Sequence, residues 1–92
     1  GTMISLIRSN WMAYMYISND TVINIMAPTS FTNGFVSTHG EALLYVGNVT
    51  INGASYVTGQ KYRAYLQSTI SSYTTFPGSN GTLYNDAKYY AL

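Results

Sequence analysis

The chain has 92 residues, no cysteine, one histidine and a charged fraction of only 8%. A chain of this length makes a single domain, 1–92, whose stability as a monomer is marginal. The lack of cysteine excludes disulfides and thiolate zinc sites, and a lone histidine excludes a multi-histidine metal site. The sequence therefore predicts no metal and no cofactor, and it leaves oligomerisation as the remaining aid to a small core.

The scarcity of charge also limits the partners. An average soluble domain has roughly 25% charged residues, whereas here Ser, Thr, Asn and Tyr replace them. The cations are Arg8, Lys61, Arg63 and Lys88. They are too few and too scattered to neutralise phosphates, so nucleic acid is not expected as a partner. No apolar run approaches the roughly 20 residues of a membrane span. A nearly neutral surface promotes self-association, which favours an obligate oligomer.

The first ten residues, GTMISLIRSN, lack the charge pattern of a signal peptide, because their one cation follows a very short apolar run. Gly1-Thr2, ahead of Met3, fits a cloning remnant. On that interpretation the chain is a piece of a longer protein, and a removed leader stays open.

The first predicted elements are two strands joined by a turn in WMAYMYISNDTVINIM, residues 11–26. Asn19-Asp20 takes the turn, so that Tyr16 faces Ile23 across the hairpin. Both faces of this pair are largely apolar, which is typical of strands covered on both sides. A chain this short has too few residues to cover both faces of a sheet, so partner subunits are expected to cover one of them. A helix from Ile4 to Tyr14 is the alternative, since its apolar residues roughly follow helical spacing.

The middle of the chain is predicted to form a loop, a strand and a hairpin. Residues 27–40 have loop composition, and 41–46 form a short strand. The hairpin runs from Val49 to Val57 around Asn52-Gly53, which is the strongest two-residue turn signal in the chain. This turn places Ile51 opposite Ala54 and separates an apolar from a polar face.

After Gly59 the spacing of the apolar residues changes from that of a strand to that of a helix. The residues that would share one helical face are Tyr62, Tyr65, Leu66, Thr69, Ile70 and Tyr73. This pattern favours one short helix over about residues 60–73. Strand is the alternative, because Ser and Thr are unfavourable inside a helix. A loop covers 75–81, and 82–92 form a short helix or an edge strand. No internal repeat is recognised. The predicted fold is mainly β, a small antiparallel sandwich or barrel-like domain with at most one short helix.

The residues with catalytic potential are few. Glu41 follows His39 by two positions, and on a strand it would share a face with the imidazole and could orient it. No serine stands in a nucleophile elbow, and nothing brings Asp20 or Asp86 near another carboxylate for hydrolysis. We expect a loop histidine beside a solvated glutamate, no catalytic residue and a protein that is not an enzyme. A small hydrolase is a third alternative.

The tyrosines are the remaining signal, with ten in the chain. Tyr combines a large apolar ring with a polar tip, which suits sugar stacking and protein contacts. β-Propensity predicts that most of them fill the core and pair across strands. We assign to the core Tyr14, Tyr16, Tyr56, Tyr62 and Tyr65. The candidate ligand- or partner-binding residues are Trp11, Tyr84, Tyr89 and Tyr90, of which the three tyrosines lie near a chain end.

Strands such as LYVGNVTINGASYVTG, the low charge, and Ser, Thr, Asn, Gly and Tyr throughout a cysteine-free chain resemble the tip, knob and decoration domains of bacteriophage tail fibres and other virion appendages. The resemblance extends over most of the chain, but it is one of composition and general character. It matches no motif, so no functional residue can be transferred from that family to this chain. It implies a β-structured homotrimer, on a virion or cell surface, that binds a host-surface glycan or protein or caps a fibre. A helix over 60–73 would depart from a purely β knob.

The sequence thus predicts a non-enzymatic adhesion or assembly domain that acts as a homo-oligomer, most simply a trimer. A polar, uncharged surface suits subunit packing and neutral glycans, where fixed charges would cost desolvation. The alternative is a monomeric carbohydrate-binding module of a secreted bacterial protein, with one exposed aromatic strip.

Overall fold

In the computed structural model, which describes residues 1–92 throughout, the chain forms short β-strands and one 3-10 helix, η1 (Ala54–Tyr56). The strands are β1 (Thr2–Met3), β2 (Ile7–Asn10), β3 (Tyr14–Ile17), β4 (Val22–Asn24), β5 (Thr29–Phe31), β6 (Val36–His39), β7 (Leu43–Val46), β8 (Thr50–Asn52), β9 (Val57–Gly59), β10 (Tyr62–Tyr65), β11 (Thr69–Ser72), β12 (Thr82–Leu83) and β13 (Lys88–Ala91). The prediction of a mainly β domain is confirmed. The structure has no helix that could cross a membrane.

Every paired strand runs parallel to its partner, and the partner lies one coil further along the chain. Thr2 pairs with Ser30, and Ser30 pairs with Thr58. The chain therefore returns to the same sheet after 28 residues, and consecutive strands belong to different sheets. This arrangement is a β-solenoid, in which each coil contacts mainly the coils before and after it.

The strands make four sheets and four coils. Sheet A is β1-β5-β9, sheet B is β2-β6-β10-β12, sheet C is β3-β7-β11-β13, and sheet D is β4-β8. Coil 1 (1–28) and coil 2 (29–56) carry a strand in every sheet, whereas coil 3 (57–78) lacks the strand in sheet D. Coil 4 (79–92) contributes only β12 and β13. The solenoid therefore narrows toward its last coil.

The interior is filled by alternate residues of each strand. In β7, Leu44 and Val46 are fully buried, while Leu43 and Tyr45 face outward and are half-buried. Three phenylalanine rings, Phe31, Phe35 and Phe76, are also buried. The core cluster comprises Ile25, Phe31, Phe35, Val36, Leu44, Val46, Val57, Ala64, Ile70, Phe76 and Ala87. Alternation of inward apolar and outward polar or aromatic residues is what a strand with one buried face requires.

The corner between sheets B and C is built from stacked residue pairs with left-handed backbone. These pairs are Trp11-Met12, Gly40-Glu41, Leu66-Gln67 and Asn85-Asp86. Left-handed backbone costs a non-glycine residue about 1–2 kcal/mol. Hydrogen bonds between coils offset this cost, since the Trp11 N–H donates to the His39 carbonyl at 2.7 Å. A small residue follows each pair: Ala13, Ala42, Ser68 and Ala87, of which the last three are buried in the corner.

The prediction of an antiparallel sandwich or barrel-like sheet is wrong, because all the sheets are parallel. The clearest predicted hairpin illustrates the cause. Gly53 does have a positive φ of 84°, but the chain continues from it into η1 and then into the next coil. Ile51 pairs with Ile23 of coil 1 and not with Ala54. A glycine that reverses a hairpin can equally turn a coil corner, so the turn signal does not identify the strand partner.

Of the other local predictions, some are wrong for the same reason and some are confirmed. Asn19-Asp20 is a turn, but it separates strands of two different sheets, and Tyr16 pairs with Tyr45. The predicted helix over 60–73 is two strands, β10 and β11, joined by the Leu66-Gln67 corner. The alternative helix near the N-terminus is strand β2. The predicted loop over 27–40 contains β5 and β6. The strand predicted at 41–46 is confirmed as β7, and 82–92 form strands.

Candidate functional site

A column of four aromatic rings follows one outer edge of sheet B, with one ring from each coil. We call the rings of Trp11, His39, Tyr65 and Tyr84 the aromatic column. Their centroids are separated by 4.5 Å, 5.3 Å and 5.2 Å in that order, and each pair meets edge to face. Edge-to-face contact is a favoured geometry for aromatic pairs. The column is therefore one continuous surface that crosses the whole solenoid.

Strand register and a glycine place these rings together. His39 and Tyr65 are paired residues of neighbouring strands, so their side chains lie one above the other. The indole of Trp11 lies against the backbone of Gly40, where any added Cβ would collide with the ring. Gly40 also has a φ of 75°, a conformation that glycine adopts without strain. Trp11 nevertheless remains 67% exposed.

Arg63 lies beside the column, and only one nitrogen of its guanidinium is hydrogen-bonded within the protein. The guanidinium carbon is 5.1 Å from the Tyr65 ring centroid and 5.6 Å from that of Tyr84, within the range of cation–π attraction. Nη1 donates a 2.6 Å hydrogen bond to Oδ1 of Asn33, which also accepts one from the Tyr65 hydroxyl at 3.1 Å. Nε is buried without a hydrogen-bond partner. An unmet buried donor costs about 1–3 kcal/mol.

Two grooves adjoin the aromatic column. The first, of about 440 Å³, is lined by His39, Arg63, Tyr65, Leu66, Tyr84 and Asn85. The second, of about 480 Å³, follows the corner and is lined by Trp11, Met12, Gly40, Glu41, Leu66, Gln67, Asn85 and Asp86. Leu66 and Asn85 line both, so the grooves are neighbours. No three metal-ligating side chains come together anywhere in the chain.

Sheet C carries a second aromatic surface on its outer side. We call Tyr14, Tyr16, Tyr45, Tyr73 and Tyr90 the tyrosine face. The rings of Tyr16 and Tyr45 stack at 5.0 Å, and Tyr73 meets Tyr45 edge to face at 6.2 Å. Tyr14, Tyr16 and Tyr90 are 81%, 60% and 52% exposed. Burial raises the pKa of Tyr45, and Tyr73 and Tyr16 add to the increase.

The tyrosine face is almost free of charge. Lys88 is the one charged residue among the outward positions of the four sheet C strands. One outward row reads Tyr16, Tyr45, Ser71 and Tyr90 across the sheet. Ser71 is the only small residue in this row, and it stands between Tyr45 and Tyr90.

The candidate residues predicted from the sequence fall in three different places. Trp11 and Tyr84 lie at the two ends of the aromatic column, and Tyr90 lies on the tyrosine face. Tyr89 points inward at the narrow end, where its ring stacks on Tyr62 at 4.1 Å. Burial raises the pKa of Tyr89 and nearby Tyr62 adds to it, while a hydrogen bond with Ser72 lowers it.

Sequence reasoning misassigned some rings and missed others. Tyr14 and Tyr16 were expected in the core but are exposed on the tyrosine face, and Tyr56 is 44% exposed. It gave no role to Arg63, and it treated His39 as a loop residue, although His39 ends strand β6. One signal was present: a ring residue precedes three of the four left-handed pairs, and a small residue follows each pair.

Comparison of the chain with protein-family models, with curated proteins and with solved structures gave no match. The surfaces described above are therefore interpreted on their own chemistry.

Proposed function

We propose that this chain is a non-enzymatic adhesion domain of a virion or cell-surface appendage, and that it acts as a homo-oligomer, most simply a trimer. The observation that carries the proposal is the tyrosine face. Contiguous exposed apolar surface on a soluble protein marks an interaction site. Aromatic enrichment with depletion of charge is the composition of an interface centre. Together these features support subunit packing through sheet C.

The aromatic column supports the adhesive part of the proposal. It lies on sheet B, beside the corner to sheet C, and so belongs to a different sheet from the tyrosine face. Its rings offer apolar faces and polar edges, and two grooves open beside them. Concave surfaces with rings and a few polar groups are typical of small-molecule sites. We assign the column to a saccharide of a host surface.

A monomeric carbohydrate-binding module is the second candidate. The observation that favours it is the same tyrosine face, which is an exposed aromatic strip in the single chain. In that case Tyr45 and Tyr90 would contact a neutral sugar, and no subunit would cover them. The two candidates differ in solution mass and in what covers sheet C.

Light scattering after size exclusion, at several concentrations, tests the proposal. A mass of three times the 10.1 kDa chain is expected. The double variant Tyr14→Ser, Tyr16→Ser removes the most exposed rings of the tyrosine face, and its mass should fall to that of one chain. Tyr56→Ser, which alters an exposed tyrosine outside this face, is the matched control and should stay trimeric.

Each other result has a defined meaning. A wild-type monomer at every concentration would contradict the oligomer and favour the carbohydrate-binding module. A trimer that survives the double variant would contradict the tyrosine face as the interface. Circular dichroism of each variant verifies that its strands remain folded.

A further inference from the structure

We propose that Arg63 and the aromatic column form a site for an acidic sugar, with the sugar carboxylate on Arg63 and the sugar ring against the exposed ring of Tyr84 and the half-buried ring of His39. This inference rests on the adhesive role proposed above and names the class of saccharide. It departs from the neutral glycan expected from composition, because composition does not reveal how a cation is oriented.

The Arg63 guanidinium has one terminal nitrogen free for a ligand. Its one hydrogen bond is made by Nη1 to Asn33. Nε is buried without a partner and is closed to a ligand, whereas Nη2 makes no hydrogen bond within the protein. A carboxylate can accept a charge-assisted hydrogen bond from Nη2.

The protein already holds the Arg63 guanidinium in place. Asn33 fixes one terminal nitrogen, and the rings of Tyr65 and Tyr84 lie within 5.6 Å of the guanidinium carbon. Asn33 itself is held by the Tyr65 hydroxyl. A side chain restrained from several directions loses little entropy when a ligand binds. The arrangement is that of a preorganised anion contact.

Two arginines lie together on the outer side of sheet B. Arg8 stands in the same outward row as Arg63, with Ser37 between them. Two strand spacings separate the two arginines, about 9.6 Å. No carboxylate lies in this row, since Glu41 and Asp86 belong to the corner pairs. The row is therefore locally positive in a chain with a net charge of only +1.

The lining of the site favours a sugar over a polyanion. The groove at Arg63 is shallow and open, and it is lined by three rings as well as the cation. Nucleic acid would need several more phosphate contacts than two arginines provide. A single carboxylate beside a ring-sized surface matches one acidic sugar residue.

Isothermal titration calorimetry with two oligosaccharides tests the inference. One probe ends in glucuronic acid, and the other is identical but ends in glucose. The acidic probe should bind more tightly, and its advantage should shrink as salt rises, because exposed charge pairs are screened. Arg63→Gln should remove the advantage. Arg63→Lys keeps the charge but loses the planar fork, and we expect about tenfold weaker binding of the acidic probe.

Lys61→Gln is the matched control, since it removes one cation that belongs to neither the aromatic column nor the tyrosine face, and it should leave both affinities unchanged. Equal binding of both probes, with no effect of Arg63→Gln, would overturn the acidic-sugar inference and leave the adhesive role standing. Failure of both probes to bind folded wild-type protein would overturn the acidic-sugar inference, while the oligomer proposed above is tested separately by its mass. Acetate binding as tightly as the acidic probe, or tighter binding of a single-stranded oligonucleotide, would overturn the assignment to a sugar.

Discussion

The hydroxyl oxygens of Thr38 and Ser68 lie 2.8 Å apart in the closed interior, where both side chains are buried. This hydrogen bond joins coil 2 to coil 3. Removing one partner leaves the other without a bond, so Thr38→Val or Ser68→Ala should each cost about 1–2 kcal/mol of unfolding free energy. The double variant should cost less than the sum of the two. Urea denaturation measures all three.

Thr50→Val is the control for that cycle, because Thr50 is exposed on sheet D. Its unfolding midpoint should stay near that of the wild type. Strict additivity of the two interior substitutions would contradict the coupling of Thr38 and Ser68.

Inward and outward positions of one strand should differ sharply in their contribution to stability. Leu44 is fully buried between Met15 and Ile70 of the coils on either side. Leu44→Ala should lower the unfolding free energy by about 2–5 kcal/mol, because it removes apolar contacts and leaves a cavity. The neighbouring variant Leu43→Ala, on the outer side, should cost much less. Similar losses for the two variants in chemical denaturation would contradict the assigned direction of β7.

Gly40 should be required for the position of the single tryptophan. Gly40→Ala introduces a Cβ that collides with the Trp11 ring, on a backbone with positive φ. We expect loss of stability and a shift in tryptophan fluorescence. Gly53→Ala strains another positive-φ glycine, at a site whose Cβ would meet Ile25 instead. It should also destabilise the fold, but the native-state emission spectrum should not change.

Tyrosine ionisation should report on the tyrosine face. The pKa of Tyr45 is raised from its ordinary value of 10.0 by burial first and by Tyr73 second. On alkaline titration the unfolded chain releases this proton before the folded chain does. The contribution of Tyr45 to stability is therefore complete below pH 10.0 and declines as the pH rises beyond it.

Phenolate absorbance measured during an alkaline titration tests this expectation. One class of tyrosines should titrate later than the exposed ones, and Tyr73→Phe should bring Tyr45 back toward the ordinary range. Tyr14→Phe, which removes a hydroxyl that is not among the causes of the Tyr45 shift, is the control. Simultaneous titration of all ten tyrosines would contradict the shift.

The mainly β character and the alternation within a strand were readable from the sequence, while the strand partners and the side of each strand that faces the core were not. In β3 the alternation correctly puts Tyr14 and Tyr16 on one side, since that relation depends only on neighbouring residues. The partner of Tyr16 is Tyr45, 29 residues away, and no local rule connects them. The apparent helix over 60–73 arose because a two-residue corner between two strands shifts the apolar positions from a period of two to one near the helical spacing.

The repeat was hidden for a physical reason. What each coil repeats is a backbone conformation, a left-handed pair, and residues as different as Trp11-Met12 and Asn85-Asp86 adopt it. The spacing also varies, from 29 residues between Ile7 and Val36 to 26 between Val36 and Tyr62. A search for a fixed period or for similar letters finds neither. The site was equally hidden, because Arg63 meets Asn33 and Tyr84 only after the coils stack.

The aromatic column takes one ring from each coil, and this has a mechanical consequence. A stack whose layers touch mainly their neighbours frays from its ends, and the narrow last coil has the fewest strands to hold it. A molecule lying along the column from Trp11 to Tyr84 would touch the first layer and the last at once. Such a ligand would bind all four coils together, so that a force applied through the bound surface would be distributed over every coil.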